Sequence, residues 1–374
     1  MRLVPIECVR EGSILARTLF DDDGRILLKE GVKLTRNIIN RIASIKIYSV
    51  YIIDEYSTKE IEDVIKPEIR QKAVSKLKET FLSIEKFIPS EDNDAIQSKT
   101  QLNNFIKERQ AFFDNIVEIA NSLMEEIFSK KNLLVNLVDI KSMDNYTYQH
   151  CVNVAVLSLI LRINLGLNKI ELRDLCIGAL IHDIGKILTP KSILLKESDL
   201  TDSEFAIMKE HTIKGFEYAK NIPEISAIVR TIILEHHERY DGTGYPNGKK
   251  AEEIHKFSRI VSIADVYDAL TSDRPYRRAL SPSEALEYIM AGGDSQFDFD
   301  MVKTFAHLIV PYPEGTLVAL STGEYGIVEE VCHNYPLRPK VKIIKSKAPE
   351  KINTTINLIE CMDIVIKDYV YNIE

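Results

Sequence analysis

The stretch ELRDLCIGALIHDIGKI, residues 171–187, carries the pattern from which the rest of the chain can be interpreted. Its apolar residues recur at three- and four-residue spacing, which predicts a helix with one buried face. That face consists of Leu172, Leu175, Cys176 and Ala179. The same spacing directs His182 and Asp183 inward at the end of the helix. An unpaired charge there would cost several kcal/mol, and a metal ion removes that cost because it binds both a neutral imidazole and a carboxylate.

The same periodicity directs further metal-ligand residue types inward on other predicted helices. They are His150, His211, His236, His237 and Asp265. One inward histidine is ordinarily a satisfied core residue, but five with two aspartates on five successive helices predict one cluster. Imidazoles mixed with carboxylates suit iron, manganese, zinc or cobalt, and seven ligands exceed what one ion accepts. A bridging carboxylate, for which Asp183 is favoured, would let two ions bind side by side.

The length of 374 residues predicts two or three domains in a mainly α-helical fold. We expect a small N-terminal α/β module at 1–56, with a short amphipathic helix in TRNIINRIAS, and a charged helical linker or regulatory region at 57–135. Residues 136–310 form the predicted helical bundle that carries the metal centre. Alternating patterns after 311 predict a small β-rich appendage over 311–374.

The linker region contains an apolar stripe on its second predicted helix, after a polar loop at 89–100. The stripe consists of Phe112, Ile116, Ile119, Leu123 and Ile127. Its simpler interpretation is a face packed on the following domain. The alternative is a homodimer or signal-relay contact through helices in 100–130, although the stripe is too short to require a coiled coil.

Charge and composition exclude several classes of function. The net charge of −8 argues against broad binding of DNA or RNA, which needs a positive surface. A small anionic substrate would require local positive charge from metal ions or arginines. No apolar run approaches the roughly 20 residues needed to span a bilayer, and the N-terminus has no signal-peptide pattern. Five cysteines without a CxxC pair, Cys151 and Cys176 among core residues, fit a reduced, cytoplasmic protein.

Three motifs resemble the HD phosphohydrolase superfamily. IHDIGKI (181–187), EHHERYDGTGYPNG (235–248) and ADVYDALTSDRPYRRA (264–279) together are similar to its HD-GYP branch, the cyclic di-GMP phosphodiesterases. The likeness covers about 136–310, under half of the chain. It implies that the seven histidines and aspartates above are the ligands of two divalent ions, iron or manganese, with Asp183 bridging.

The resemblance also implies roles for three cations. Lys186 matches a lysine that contacts the scissile phosphate, and its structural alternative is a cation at a helix C-terminus. Arg274 and Arg277 match contacts to the substrate phosphates, for which a bidentate guanidinium is suited. Structural salt bridges are their alternative.

The glycine-rich loop after the paired histidines is expected to stop the helix beside the cleft. It contains Gly242, Gly244, Tyr245 and Pro246. In the family this loop is also associated with contacts to GGDEF-type cyclases, which we treat as its secondary role.

Some members hold a third metal through a glutamate one turn before the first histidine. Tyr146 occupies that position and has no carboxylate, so we expect two metals. A further departure is Phe297-Asp298-Phe299, where the family has FDP.

The resemblance implies hydrolysis of cyclic di-GMP to linear pGpG by a metal-activated hydroxide, with cleavage on to GMP left open. One alternative is another nucleotide, such as a mixed cyclic dinucleotide or a (p)ppGpp-like compound. A second alternative is a non-hydrolytic receptor for cyclic di-GMP or for a cyclase partner, although a receptor needs no complete dimetal site. Purely structural metals are the third.

Overall fold

The structure is a computed structural model. It describes residues 1–21, 25–45, 47–57, 63–85, 99–130, 133–135, 146–166, 169–196, 198–272, 279–332 and 334–373, with only the backbone described at 99–106, 108, 169 and 170. None of the helices in these ranges has the length and apolar character needed to cross a membrane.

The N-terminal region is a small α/β unit, as its sequence predicts. Strands β1 (Arg2–Pro5), β2 (Ile14–Leu15) and β5 (Ser49–Ile53) form an antiparallel sheet in the order β1-β5-β2. Strands β3 (Leu19–Phe20) and β4 (Ile26–Leu28) form a separate antiparallel pair. Helix α1 (Arg36–Ser44) begins after Thr35, whose hydroxyl accepts from the backbone N–H of Ile38. The buried side chains of these elements make a core of their own.

Eleven further helices are described between residues 67 and 308. They are α2 (Pro67–Glu85), α3 (Lys99–Ser129), α4 (Tyr146–Asn164), α5 (Lys169–Leu180), α6 (Lys191–Leu194), α7 (Asp202–Lys209), α8 (His211–Lys220), α9 (Ala227–Glu235), α10 (Lys256–Leu270), α11 (Pro282–Ala291) and α12 (Phe299–Leu308). One continuous apolar core runs from Val64 to Ile309 and includes residues of α2 and α3. Helix α4 is buried on every side from Gln149 to Arg162, so it forms the centre of the bundle.

The apolar stripe of α3 packs inside the chain. All five of its predicted members are buried and belong to the large core, where α3 contacts α2 and α5. This confirms the packing interpretation of the stripe. Of the predicted polar loop at 89–100, residues 89–98 lie outside the described part of the chain, and Lys99 and Thr100 begin α3.

Helix breaks, rather than continuous helices, position the candidate site. Helix α5 ends at Leu180, so His182 and Asp183 lie in the turn before a 3₁₀ helix (Ile184–Leu188). The single helix predicted around His211 is two helices, α7 and α8, with the break at Glu210. Helices α6 and α7 separate α5 from α8, so the prediction of five successive ligand-bearing helices is wrong. The side chains converge because of tertiary packing and not because of chain order.

The C-terminal region is strand-rich, as predicted. Strands β6 (Leu317–Leu320), β7 (Tyr325–Glu330), β8 (Lys340–Lys345), β9 (Thr355–Asn357) and β10 (Ile366–Tyr369) form an antiparallel sheet in the order β10-β6-β7-β8-β9. Its inward side chains form a third small core. The stretch Phe297-Asp298-Phe299 leads directly into α12, which begins at Phe299. Asp298 caps α12 by accepting from the N–H of Met301 and pairs with Arg259 at 2.6 Å.

Candidate metal centre

The structure brings all seven predicted ligand side chains together. One group contains Asp183, His211, His236 and His237, and the other contains His150, His182 and Asp265; within each group the potential ligand atoms lie within 4.8 Å of one another. All are buried except His237, which is partly exposed. Edge-to-face packing of His182 against both His150 and His236 joins the two groups. The seven side chains therefore form one cluster with two halves.

Backbone carbonyls fix the tautomers of three histidines in this cluster. Nδ1 of His182 lies 2.7 Å from the carbonyl oxygen of Ala179. Nδ1 of His211 is 2.7 Å from that of Met208, and Nδ1 of His236 is 2.9 Å from that of Ile233. A carbonyl oxygen only accepts, so each Nδ1 carries the proton and donates. Each Nε2 therefore presents a lone pair, as a metal ligand must.

Asp183 lies between these lone pairs. Its Oδ1 is 3.4 Å from Nε2 of His211 and 3.7 Å from Nε2 of His236, and its Oδ2 is 3.4 Å from Nε2 of His182. Within the described residues, Oδ1 of Asp183 and Nε2 of His182 are buried and have no hydrogen-bond partner. Buried acceptors that face one another are unfavourable unless a cation binds between them. The donor set thus fits a divalent metal.

The protonation states of His211, His237 and Asp183 also suit metal binding. Burial lowers the pKa of His211 to about 3, and burial likewise lowers the pKa of His237. Burial by itself raises the pKa of Asp183, but Lys186 and His182 outweigh burial and hold this pKa well below its usual range. Neutral imidazoles and an ionised carboxylate are the forms that coordinate a metal.

His150 is held by two carboxylates of α10. Its Nε2 lies 3.0 Å from Oδ1 of Asp265, and its Nδ1 lies 2.7 Å from Oδ2 of Asp268. Burial lowers the pKa of His150, but these two hydrogen bonds outweigh burial and raise it to about 9. Asp268 directs the Nε2 atom at the cluster, as a carboxylate behind a metal-binding histidine does. Asp268 was not among the predicted site residues, although it lies three residues beyond Asp265 and hence on the same helix face.

A polar network continues from Asp268 away from the cluster. Asn153 donates from Nδ2 to Oδ1 of Asp268 at 3.0 Å and accepts from Nη1 of Arg70. Arg70 also donates to Oδ1 of Asp63 at 3.2 Å, and Arg17 of the N-terminal unit donates to Oδ2 of the same carboxylate at 3.2 Å. The network links the N-terminal unit to His150. No sequence pattern predicts this network, because most of its bonds join residues that are far apart in the chain.

The glycine-rich loop is tightly built against the cluster. A Cβ on Gly244 would lie 2.3 Å from the backbone nitrogen of Arg239, so only glycine fits there. The ring of Tyr245 packs on His237 with centroids 4.8 Å apart, and the Tyr245–Pro246 peptide bond is cis. Buried Glu238 accepts from the backbone N–H groups of Asn247 and Lys249. The loop thereby fixes the position of His237.

Of the three cationic side chains predicted to contact substrate, the structure describes only Lys186. Nζ of Lys186 lies 2.5 Å from Oδ2 of Asp183, and its side chain is 29% exposed, so it reaches the edge of the cluster. Arg274 and Arg277 lie outside the described residues. Tyr146 stacks on the ring of His150 with centroids 5.7 Å apart, which confirms that it shares the face of the first histidine.

The chain is similar to known proteins over its helical region. Residues 121–301 match the family model of the HD domain. A cyclic di-GMP phosphodiesterase of Pseudomonas aeruginosa is 37% identical over 235 residues, 62% of this chain and 56% of that protein. A cyclic di-GMP phosphodiesterase of Thermotoga maritima is 36% identical, covering 49% of this chain and 52% of that one. A 3′3′-cGAMP-specific phosphodiesterase of Vibrio cholerae is 40% identical, covering 44% and 37%.

The chain thus spans about half or less of the length of these relatives. The match nevertheless contains all seven clustered side chains, Lys186 and the glycine-rich loop. The mainly α-helical fold class and the family resemblance drawn from the motifs are both confirmed. The likeness to the HD domain extends over residues 121–301 of this chain.

Proposed function

We propose that this chain is a metal-dependent phosphodiesterase that hydrolyses cyclic di-GMP to linear pGpG. The observation that carries the proposal is the buried set of imidazole and carboxylate lone pairs, which face one another around Asp183. The names of the Pseudomonas and Thermotoga relatives support cyclic di-GMP as the substrate. A purely structural metal is disfavoured, because the core that runs from Val64 to Ile309 is large without it.

We assign the ligands to two divalent ions, iron or manganese. Asp183 would bridge them, since its two oxygens face different histidines. His211, His236 and His237 would complete one site, and His150, His182 and Asp265 the other. When bound, such ions supply an activated water and screen the charge that develops at phosphorus.

The remaining chemistry falls to side chains of this protein. Lys186 would neutralise a phosphate oxygen at the edge of the cluster. Arg274 and Arg277 would position the two phosphates through bidentate hydrogen bonds. The fixed tautomers of His182, His211 and His236 keep their protons on the carbonyl side, away from the reacting groups. No side-chain nucleophile is needed for this reaction.

A mixed cyclic dinucleotide is the second candidate substrate. The observation that favours it is the 40% identity to a Vibrio cholerae enzyme named for 3′3′-cGAMP. A cyclic dinucleotide with one guanine and one adenine has the same two phosphodiesters as cyclic di-GMP, so the metal ligands cannot distinguish the two. The bases must therefore be distinguished by side chains around the cleft.

Four further features stand as proposals. We propose domain boundaries at 1–56, 57–135, 136–310 and 311–374, a cytoplasmic location, and contact of the glycine-rich loop with a GGDEF-type cyclase. A homodimer through residues 100–130 would have to use the exposed face of α3, because its apolar stripe is buried within the chain.

The test begins with protein purified without oxygen and without added metal. Elemental analysis should give about two iron or manganese ions per chain, as expected for a dinuclear site. The protein is then incubated with cyclic di-GMP and, separately, with 3′3′-cGAMP, and the products are separated by chromatography. Cyclic di-GMP should yield linear pGpG. Metal-replete protein that binds cyclic di-GMP but leaves it intact would contradict the enzyme and favour a receptor. Faster cleavage of 3′3′-cGAMP would favour the second substrate.

A further inference from the structure

A second concave site lies between the N-terminal unit and the helical bundle, outside the metal centre. It is a cavity of about 110 Å³, bounded by residues of β3, β5, α2 and α4. A cavity of this volume holds several water molecules or one small organic molecule. Its lining combines apolar side chains such as Phe20 and Tyr51 with charged and amide groups.

The charges around this cavity favour a cation. Four carboxylates and two arginines line it, so carboxylates are in excess. The two arginines, Arg17 and Arg70, share the carboxylate of Asp63. At the exposed rim, Glu30 and Glu68 pair with no cation among the residues that the structure describes. A positively charged ligand would neutralise the excess.

The inner wall presents an acceptor that lacks a donor. Gln149 is 8% exposed and lines the cavity, and its Oε1 has no hydrogen-bond partner in the described part of the chain. A buried amide oxygen without a donor is unfavourable, so a ligand that donates to it gains affinity. This observation is independent of the rim charges, and both call for N–H donors.

We propose that this cavity binds a small organic diammonium ion. One ammonium group donates to Oε1 of Gln149 inside the cavity, and the other lies between Glu30 and Glu68 at the rim. The methylene chain packs on the apolar lining near Phe20. The site is distinct from the metal cluster, and its occupancy does not depend on the proposed phosphodiesterase activity.

The site also has a structural route to the metal centre. Gln149 directly precedes His150 on α4, and Arg70, which lines the cavity, bonds Asn153, the neighbour of Asp268. A ligand in the cavity therefore contacts α4, which carries His150, and α2, whose Arg70 bonds Asn153.

The test is calorimetric titration of the full, metal-loaded chain with 1,4-diaminobutane at fixed ionic strength. Two control probes have the same chain length: butane-1,4-diol is uncharged, and succinate carries the opposite charge. We expect saturable binding of one diamine per chain, no heat from the diol or succinate, and weaker binding as salt rises. Absence of saturable diamine binding, or equal binding of succinate, would overturn the proposal.

Two variants locate the bound diamine. Gln149→Leu should weaken binding about tenfold or more, the scale of one hydrogen bond to a charged donor. Gln110→Leu, on the exposed surface of α3, is its control. Glu68→Gln should weaken binding a few-fold while Glu125→Gln, on α3, does not. If Gln149→Leu fails to fold, Glu68→Gln decides, and unchanged affinity in that variant contradicts the site.

Discussion

Two buried polar regions meet at His150 and are built on opposite principles. On one side, the metal cluster gathers lone pairs around Asp183, and two of these acceptor atoms have no hydrogen-bond partner among the described residues. On the other side, Asp268, Asn153, Arg70 and Asp63 alternate donors with acceptors. The first region needs a cation from outside, whereas the second supplies its own complementary charges. A group of buried polar side chains therefore indicates a ligand only where some of its hydrogen-bond donors or acceptors have no partner.

The largest effect is expected from removing Asp183, the centre of the metal cluster. Asp183→Ala deletes the carboxylate that faces three histidines, so both ions and all hydrolysis should be lost together. Elemental analysis and product chromatography measure the two losses. The exposed Asp114→Ala is the control and should retain both. A metal-loaded, active Asp183→Ala protein would remove the bridging role from this residue.

Next in size is a change at the edge of the same region. Lys186→Ala should lower the rate of hydrolysis about a hundredfold or more, because the phosphate loses a charged donor. Metal content should stay at the wild-type level, since the bound ions then balance the charge of Asp183. Lys191→Ala, a nearby lysine that is 75% exposed, should change neither quantity. A Lys186→Ala rate close to that of the wild type would exclude the lysine from the reaction.

In the hydrogen-bonded network from Asp268 to Asp63, a substitution is expected to lower the stability of the fold. Arg70→Met leaves Asp63 and Asn153 without their buried donor, which should lower the free energy of unfolding by about 3 kcal/mol. Lys76→Met, on the same helix, breaks only the pair with exposed Glu118 and should lower the free energy of unfolding far less. Chemical denaturation of metal-loaded protein compares the two. Equal losses would mean that the network contributes no more than a surface pair.

The smallest effect is expected where the two regions join. Asp268→Asn keeps an acceptor for Nδ1 of His150 but removes the negative charge behind it. Metal affinity should fall about 10–100-fold, the range found for such supporting carboxylates. Competition with a chelator measures this affinity, and Asp174→Asn, whose carboxylate accepts from Ser226, is the control. Unchanged affinity in Asp268→Asn would show that His150 is oriented by packing alone.

Local patterns predicted the cluster because helical periodicity is a property of short stretches. The spacing from Leu172 through Ala179 to His182 and Asp183 holds in the structure, even though α5 ends at Leu180 and a turn completes the path. Thr201 and Glu204 form a capping box at the start of α7, a feature that also depends only on residues three apart in the chain. Helix ends were less accurate, as at Glu210, where no proline or adjacent glycine in the sequence marks the break between α7 and α8.

What the sequence by itself determined is therefore the set of ligand residue types, the mainly helical fold and the β-rich C-terminus. Each of these follows from residue spacing within one element. Only the tertiary structure decided which buried side chains form hydrogen bonds with one another. Asp268 lies 118 residues from His150, and Arg70 lies 83 residues from Asn153, and each pair meets because α10 and α2 pack on α4. The cavity beside Gln149 exists for the same reason, since its walls come from separate elements of the chain.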